Sequence, residues 1–324
     1  LIDTTKANYA IVSSIEAEVV SAPNPEMEMK AVKNPVEVEN YRISHIQDGV
    51  AVTKFMYWLK KNAGKIPMTE YTAQEYLSQL RYERPNNLGL SFTPISGYKE
   101  NAAMMHYEAS KEAETFLKPE GIYLVDSGGQ YMGGTTDITR TIVLGEISQE
   151  IKKHYTLTVA GLLQMTHAKW LYGCTGRNLD ILARQPLWNI AIDYRCGTGH
   201  GVGYILNVHE GPQSVRMEEN PVPLEPGMVI SNEPAIYFAG RYGIRTENVV
   251  AVKAWKEGEF GQFNEFETFT LVPIATSCVD PKLLTAAELE WLNKYNARVF
   301  EQISPLLGSE EEVKWLANVT ARIG

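Results

Sequence analysis

Basic side chains are in deficit here. Thirty Lys and Arg stand against 39 Asp and Glu, a formal net charge of −9. A nucleic-acid surface needs a basic field, so this balance argues against one. Cysteine is scarce as well: Cys174, Cys196 and Cys278 are three of 324 residues, and none falls in C-x-x-C spacing. A sparse, odd set excludes a disulfide scaffold and a cysteine-ligated zinc motif, and it fits a reducing compartment. No run approaches the ~18–20 apolar residues that a membrane-spanning helix needs, so no membrane partner is expected. The opening L-I-D-T-T-K-A-N-Y-A has neither the basic start nor the apolar core of a signal peptide, and it lacks an initiator Met. The reading is a cytoplasmic chain trimmed from something longer. The remaining composition, 44% hydrophobic and 21% charged, is ordinary for a globular protein of one large domain or two smaller ones.

Residues 1–34 read as the remnant of a preceding domain or linker. They offer a short strand at Tyr9–Val12, a helical turn near Ser14–Val19, and a run punctuated by Pro23, Pro25 and Pro35. A main unit is expected over 35–280, and a C-terminal helical extension over 281–324. The spacing of Ile43, Ile46, Val50, Ala51, Phe55, Trp58 and Leu59 predicts a helix with a core-facing stripe. Thr69 is a capping candidate for a second helix ending near Tyr82. Strands are predicted at Leu90–Pro94, Ala102–His106, Ile122–Asp126, Thr139–Leu144, Val229–Asn232, Val249–Val252 and Thr268–Ile274. Helices are predicted from Ser148 to about Leu171, from Asn178 to about Ile190 with a kink or break at Pro186, and over Ala286–Phe300 and Glu310–Val319.

Five residues carry the chemistry: Asp126, Asp137, His200, Glu233 and Glu247. Their settings are V-D-S-G-G-Q-Y, T-T-D-I-T-R-T, G-T-G-H-G-V-G, S-N-E-P-A-I-Y and G-I-R-T-E-N-V. Four carboxylates and one imidazole suit hard or borderline divalent ions, and two ions can share bridging carboxylates to activate a water. An internal echo shows how such distant residues could meet. G-I-Y-L-V-D-S-G and G-M-V-I-S-N-E-P both run from glycine through an apolar strand into an acid. A second acid follows 11 and 14 residues later. Each half thus offers a strand pair with a carboxylate on each strand, and cross-strand neighbours lie within ~5 Å.

Taken singly, each residue has a plainer explanation. Asp126 or Asp137 could be a strand-end cap. Glu233 could be an exposed strand end before Pro234, and Glu247 a surface acid paired with Arg245. The glycines on both sides of His200 allow close backbone approach, which suits a crowded site better than a structural role. His45, His154 and His167 lie on predicted helices and are read as solvated or structural. His106 and His209 could be satisfied core residues. Cys196 is read as a small buried residue, since a thiolate fits poorly among oxygen ligands.

The ordered set V-D-S-G-G-Q-Y, G-T-T-D-I-T-R-T, G-T-G-H-G-V-G, N-V-H-E-G-P, N-E-P-A-I-Y, G-I-R-T-E-N-V and F-E-T-F-T-L-V-P-I resembles the catalytic part of the Xaa-Pro aminopeptidase (aminopeptidase P) family, long three-domain type, over about residues 35–300. The resemblance implies an α+β, pita-bread fold with a pseudo-twofold repeat of antiparallel strands flanked by helices. It implies that Asp126 chelates one metal, that Asp137 and Glu247 bridge both, and that His200 and Glu233 complete the second. It also implies that His106 and His209 flank the cleaved bond and that Arg245 and Tyr237 form a network with Asp126. The expected cofactor is a pair of divalent ions, manganese first, with cobalt or zinc as alternatives. The expected substrate is a peptide with proline at its second position, and the expected assembly a homodimer. Other readings remain: a prolidase or methionine aminopeptidase on the same fold, or a low-activity binding module lacking upstream domains.

Overall fold

The computed structural model describes residues 1–113 and 115–324. In chain order the helices are α1 (Tyr9–Ser13), α2 (Pro25–Ala31), α3 (Pro35–Asn62), α4 (Glu70–Tyr82), α5 (Gln149–Thr166), α6 (Gly176–Trp188), α7 (Ala286–Ile303) and α8 (Glu310–Val319). The strands are β1 (Asn87–Leu90), β2 (Ile95–Tyr98), β3 (Ile122–Ser127), β4 (Gly129–Tyr131), β5 (Gly134–Thr135), β6 (Ile138–Val143) and β7 (Lys169–Leu171) in the first half. They continue as β8 (Gly199–His200), β9 (Ser214–Val215), β10 (Val229–Asn232), β11 (Ala235–Phe238), β12 (Tyr242–Arg245), β13 (Asn248–Gly258) and β14 (Gly261–Thr268).

The architecture is α+β, with antiparallel strand pairing throughout the named sheets. One sheet runs β2-β3-β6 and another β10-β13-β14-β7. Helices α3 and α4 pack their apolar faces on the first sheet, where Phe55, Leu59, Leu77, Tyr123 and Val125 form one core cluster. Helices α5 and α6 cover the second, with Met165, Leu179, Ile230, Val250 and Phe266 together. Fully burying a side chain such as Phe55 contributes roughly 1.5–3 kcal/mol.

The local chemistry explains the long helix. Asn34 accepts from the backbone N–H groups of Val36 and Glu37, while the Glu37 carboxylate accepts from Asn34 N–H, and Pro35 occupies the first turn. Val50, Phe55 and Leu59 are buried as the stripe predicts, but Ile43 points to solvent.

Several expected elements differ. Tyr9–Ser13 is helical, because Asn8 caps it, and Ser14–Val19 carries no helical turn. Ala102–His106 is a 3-10 turn and loop, not a strand. The helix from Ser148 stops at Thr166, and Lys169–Leu171 instead adds an edge strand to β14. Pro186 sits in the last turn of α6, and the helix runs past it to Trp188 without breaking. Thr268–Ile274 is strand only at Thr268, although Phe269 N still donates to Val249 O of β13 at 2.9 Å. From Val272 onward its backbone is held by side chains, Arg140 donating to Val272 O and Pro273 O and Asn296 to Ile274 O.

Candidate metal centre

The echo in the sequence is an echo in register. Asp126 on β3 faces Thr139 on β6, and Asp137 immediately precedes β6. On the other sheet Asn232 faces Asn248, so Glu233 and Glu247 leave the strand ends side by side. Glu247 N donates to Thr139 O at 3.1 Å, which stitches the two hairpins together at their carboxylate ends. His200 arrives on β8. An added Cβ at Gly199 would lie 2.0 Å from Ser231 O, and one at Gly201 would lie 1.9 Å from Glu210 O. Glycine on both sides lets this strand press against Ser231 of β10 at one position and against Glu210 at the other, and so deliver the imidazole.

The His200 ring is oriented by a contact of 2.9 Å between its Nδ1 and Gly201 O. Its Nε2 lies 3.3 Å from Asp137 Oδ2 and 3.4 Å from Glu233 Oε1. One donor atom each from Asp137, His200 and Glu247 lies within 4.8 Å of the others, and Asp126 and Glu233 stand outside this tightest group. Around them runs a hydrogen-bonded frame. Arg245 Nη2 donates to Asp126 Oδ2 at 2.6 Å, its Nη1 to the Tyr237 hydroxyl, and its Nε to Thr139 Oγ1 at 2.9 Å. Thr139 in turn donates to Glu247 Oε2 at 2.7 Å, and Ser231 to Glu233 Oε1 at 3.1 Å.

The electrostatics are those of a site short of positive charge. Burial, with repulsion from Asp126 and Glu233, holds Asp137 above its ordinary value, and its hydrogen bond with His200 only partly offsets this. Burial and the neighbouring acids push Glu247 well up. Burial, with Asp126 beside it, raises Glu233 although His200 and Arg245 pull the other way. Burial disfavours a charged His200, yet the Asp137 hydrogen bond and the charge of Glu233 outweigh it and raise the ring. Asp126 Oδ1 is buried without a hydrogen-bond partner among the described residues. Oxygen-rich donors, crowded and undercompensated with one lone carboxylate oxygen left over, fit divalent cations.

All nine residues singled out in the sequence line one cleft of about 700 Å³. His106 and His209 are exposed in it and are not core residues; the His209 ring stands edge-on to His200 at 4.1 Å between centroids. Although His209 keeps contact with solvent, the cleft walls partly desolvate it, and this together with the positive His200 pushes it down to about 4. Cys196 is half-buried and lines the cleft, and burial raises its thiol to about 11, the thiol form at neutral pH. Of the other histidines, His45 and His154 are buried, and His154 contacts the Tyr242 hydroxyl at 2.8 Å.

Sequence reasoning missed Thr139, Ser231 and Arg140. Arg140 is buried and donates to Glu247 O, Asn248 Oδ1, Val272 O and the Tyr295 hydroxyl, tying α7 to the site. The alternation T-D-I-T-R-T held the signal: on a strand it sends Thr139 to the same face as Asp137, and Arg140 to the opposite one.

A model of metallopeptidase family M24 matches residues 39–254. The chain belongs to metallopeptidase family M24. A model of the C-terminal region of M24 peptidases matches residues 262–323. Relatives of this M24 chain include a probable Xaa-Pro aminopeptidase P of Tuber melanosporum, 44% identical over 307 residues, covering 93% of this chain and 50% of the relative. Aminopeptidase P1 of Arabidopsis thaliana is 39% identical over 346 residues, covering 98% of this chain and 54% of the relative. The chain therefore spans about half the length of the curated relatives it matches. Among solved structures, an X-prolyl aminopeptidase from Caenorhabditis elegans, described as a cytosolic enzyme with a di-nuclear active site, superposes with a TM-score of 0.89 at 35% identity, covering 94% of this chain and 50% of that one. An Xaa-Pro dipeptidase from Bacillus anthracis gives a TM-score of 0.69 at 25% identity, covering 84% and 72%. The α+β pita-bread architecture expected from the sequence is the one this M24 chain has.

Proposed function

We propose that this M24 chain is a two-metal aminopeptidase that hydrolyses the bond between an N-terminal residue and a following proline. The observation that carries the reading is the convergence of Asp137, His200 and Glu247 within 4.8 Å, with Asp126 and Glu233 alongside. Asp126 would hold one ion, Asp137 and Glu247 would bridge, and His200 and Glu233 would complete the second. Manganese is the first choice, with cobalt or zinc as alternatives. When bound, such ions acidify water and polarise a carbonyl.

The chain's own groups do the rest. Arg245, hydrogen-bonded to Asp126, Tyr237 and Thr139, keeps the carboxylates aimed inward. His209 or His106 donates to the oxyanion that develops on the attacked carbonyl. Glu233 accepts the proton of the attacking water and returns it to the prolyl nitrogen as the bond breaks. That nitrogen carries no hydrogen in the substrate, so a site for it must recognise the ring by shape. Phe92, Ile95 and Met105 give the cleft an apolar wall for this purpose.

The catalytic unit is taken as 35–280, with 281–324 a helical extension; Arg140 and Tyr295 couple the two. The description of the nematode structure as cytosolic supports a cytoplasmic location. A homodimer rests on family likeness. The experiment is hydrolysis of an Xaa-Pro-Xaa tripeptide and an Xaa-Pro dipeptide in manganese, with and without chelator. Chelator-sensitive cleavage of the tripeptide alone is expected. Cleavage of the dipeptide alone makes the chain a prolidase, a reading that the likeness to the Bacillus anthracis dipeptidase keeps open.

A further inference from the structure

His209 is exposed in the cleft, yet Glu210, the next residue, is buried. Neither oxygen of its carboxylate takes a hydrogen bond among the described residues. What faces them is charge from a distant part of the chain. Lys30 Nζ lies 3.1 Å from Glu210 Oε2, and Lys33 Nζ lies 3.9 Å from Oε1. Lys33 is buried like its partner, and its ammonium donates to Ala31 O at 3.3 Å. Burial pulls Lys33 down to about 8, and the Glu210 charge opposes the fall.

Both lysines belong to the segment before α3. α2 carries Lys30, and its last residue, Ala31, packs with Leu224 and Met228 in the core of the second sheet. Val32 then bridges Met228, and Lys33 N donates to Gly227 O at 2.9 Å, so the segment is fastened to the chain entering β10. Glu210 is fastened on its other side. Its N donates to Gly201 O at 2.7 Å, and the same carbonyl is the one that His200 Nδ1 contacts at 2.9 Å. Its Oε2 lies against Gly203, where an added Cβ would be 2.6 Å away. Between these ties Ile205 holds a φ of 54°, which a β-branched residue keeps only where its surroundings impose it.

We infer that Glu210, held by Lys30 and Lys33, is a positioning residue for His200 and His209, so that the segment before α3 is a working part of the metal centre. The inference rests on the two-metal aminopeptidase reading above. Glu210 acts through two links. One is the peptide bond to His209. The other is the Gly201 carbonyl, which sets the His200 ring so that Nε2 faces Asp137 and Glu233. A buried carboxylate without hydrogen bonds is held by the opposing charges alone, and removing either side leaves the other uncompensated. The carboxylate or the ammonium then turns towards water, and the constrained chain from 202 to 210 relaxes with it. Ligand orientation depends on such outer contacts.

The test compares Glu210→Gln, Lys33→Met, the two combined, and Lys30→Met with the unaltered chain. Each is stripped with chelator, titrated calorimetrically with Mn2+, then loaded and assayed on Ala-Pro-Ala. Glu210→Gln should raise the Kd for Mn2+ roughly three- to tenfold, less than the 10–100-fold typical of a partner that touches the ligand itself. Its kcat should fall about tenfold with KM within a few-fold, since a misplacement of about 1 Å can cost about 100-fold. Lys33→Met should reproduce both effects, and the combined variant should show less than their sum, because either change alone has already broken the contact. A pair with a merely structural role would lower the unfolding midpoint and leave Kd and kcat of the folded chain unchanged, which overturns the inference; so do effects that add in full. A fall in kcat at unchanged Kd overturns the link to His200. Should the buried variants not fold, Lys30→Met carries the test, its side chain being 34% exposed, and Lys30→Arg should restore both values. If the unaltered chain cleaves no Xaa-Pro tripeptide, the aminopeptidase reading fails, while the Mn2+ affinities still decide this one: weaker binding in the variants upholds it and equal binding rejects it.

Discussion

Replacing Thr139 with valine should weaken metal binding without disturbing the sheet. Thr139 is fully buried on β6, where valine is equally at home in a strand and nearly equal in volume. Its hydroxyl does two jobs: it donates to Glu247 Oε2 at 2.7 Å and accepts from Arg245 Nε at 2.9 Å. A hydrogen bond to a charged group is worth about 1.5–3 kcal/mol, and loss of a partner behind a metal ligand typically costs about 10–100-fold in affinity. At 1.4 kcal/mol per tenfold, the second figure is about 1.4–2.8 kcal/mol, so the two estimates agree. Calorimetric titration of chelator-stripped protein with Mn2+ should therefore show a Kd raised about 10–100-fold in Thr139→Val. Thr139→Ser, which keeps the hydroxyl, should stay within a few-fold of the unaltered chain. Valine and serine variants that bind Mn2+ as tightly as threonine would refute the claim that this hydroxyl aims Glu247.

Other consequences follow from groups outside the metal cage. His45 is wholly buried, and burial pushes it down to about 4 despite a backbone contact to Tyr41 O. Its folded value lies below the ordinary 6.5, so the unfolded chain binds the extra proton between those limits. Stability from this group is intact above about pH 6.5 and falls by about 3 kcal/mol as pH drops towards 4. His45→Phe should flatten the pH dependence of the unfolding midpoint in that window; an unchanged slope would contradict it. Asp48→Asn should destabilise the fold by roughly 3–5 kcal/mol in chemical denaturation. It strands the buried Arg81, whose Nε lies 2.6 Å from Asp48, and weakens acceptance from Tyr131 and Thr136. A loss below 1 kcal/mol would show that the pair is solvated or dispensable. Arg245→Ala should lower kcat while leaving the chain folded, because it frees Asp126 Oδ2 and Tyr237 together; full turnover would remove Arg245 from the frame.

Much of the candidate site was legible because its acids sit where strand patterns stop. The apolar runs Ile122–Asp126 and Val229–Asn232 announce buried strands, and an acid at the end of each is conspicuous. The glycines around His200 were legible for a related reason, since their need for space is local to the sequence. What could not be read was where side chains reach across the fold. Thr139 meets Glu247, 108 residues away, and Arg140 reaches Tyr295, 155 residues away. Neither partner is marked by any short-range pattern. The misread elements fail for the same cause. Lys169–Leu171 looks like the end of a helix until β14 offers it an edge, and Thr268–Ile274 looks like a strand throughout until, from Val272 onward, its backbone finds side chains in place of a neighbouring strand. Tyr9–Ser13 shows the reverse case, where a single cap at Asn8 outweighs a strand-like composition.

The most direct test of the two-metal account is a metal count. Chain stripped with chelator and reloaded with Mn2+ should hold two ions per molecule and cleave an Xaa-Pro tripeptide, whereas Asp137→Asn, which alters a residue proposed to bridge, should lose at least one ion and nearly all turnover. An Asp137→Asn protein that retains two ions and full activity would contradict the account at its centre.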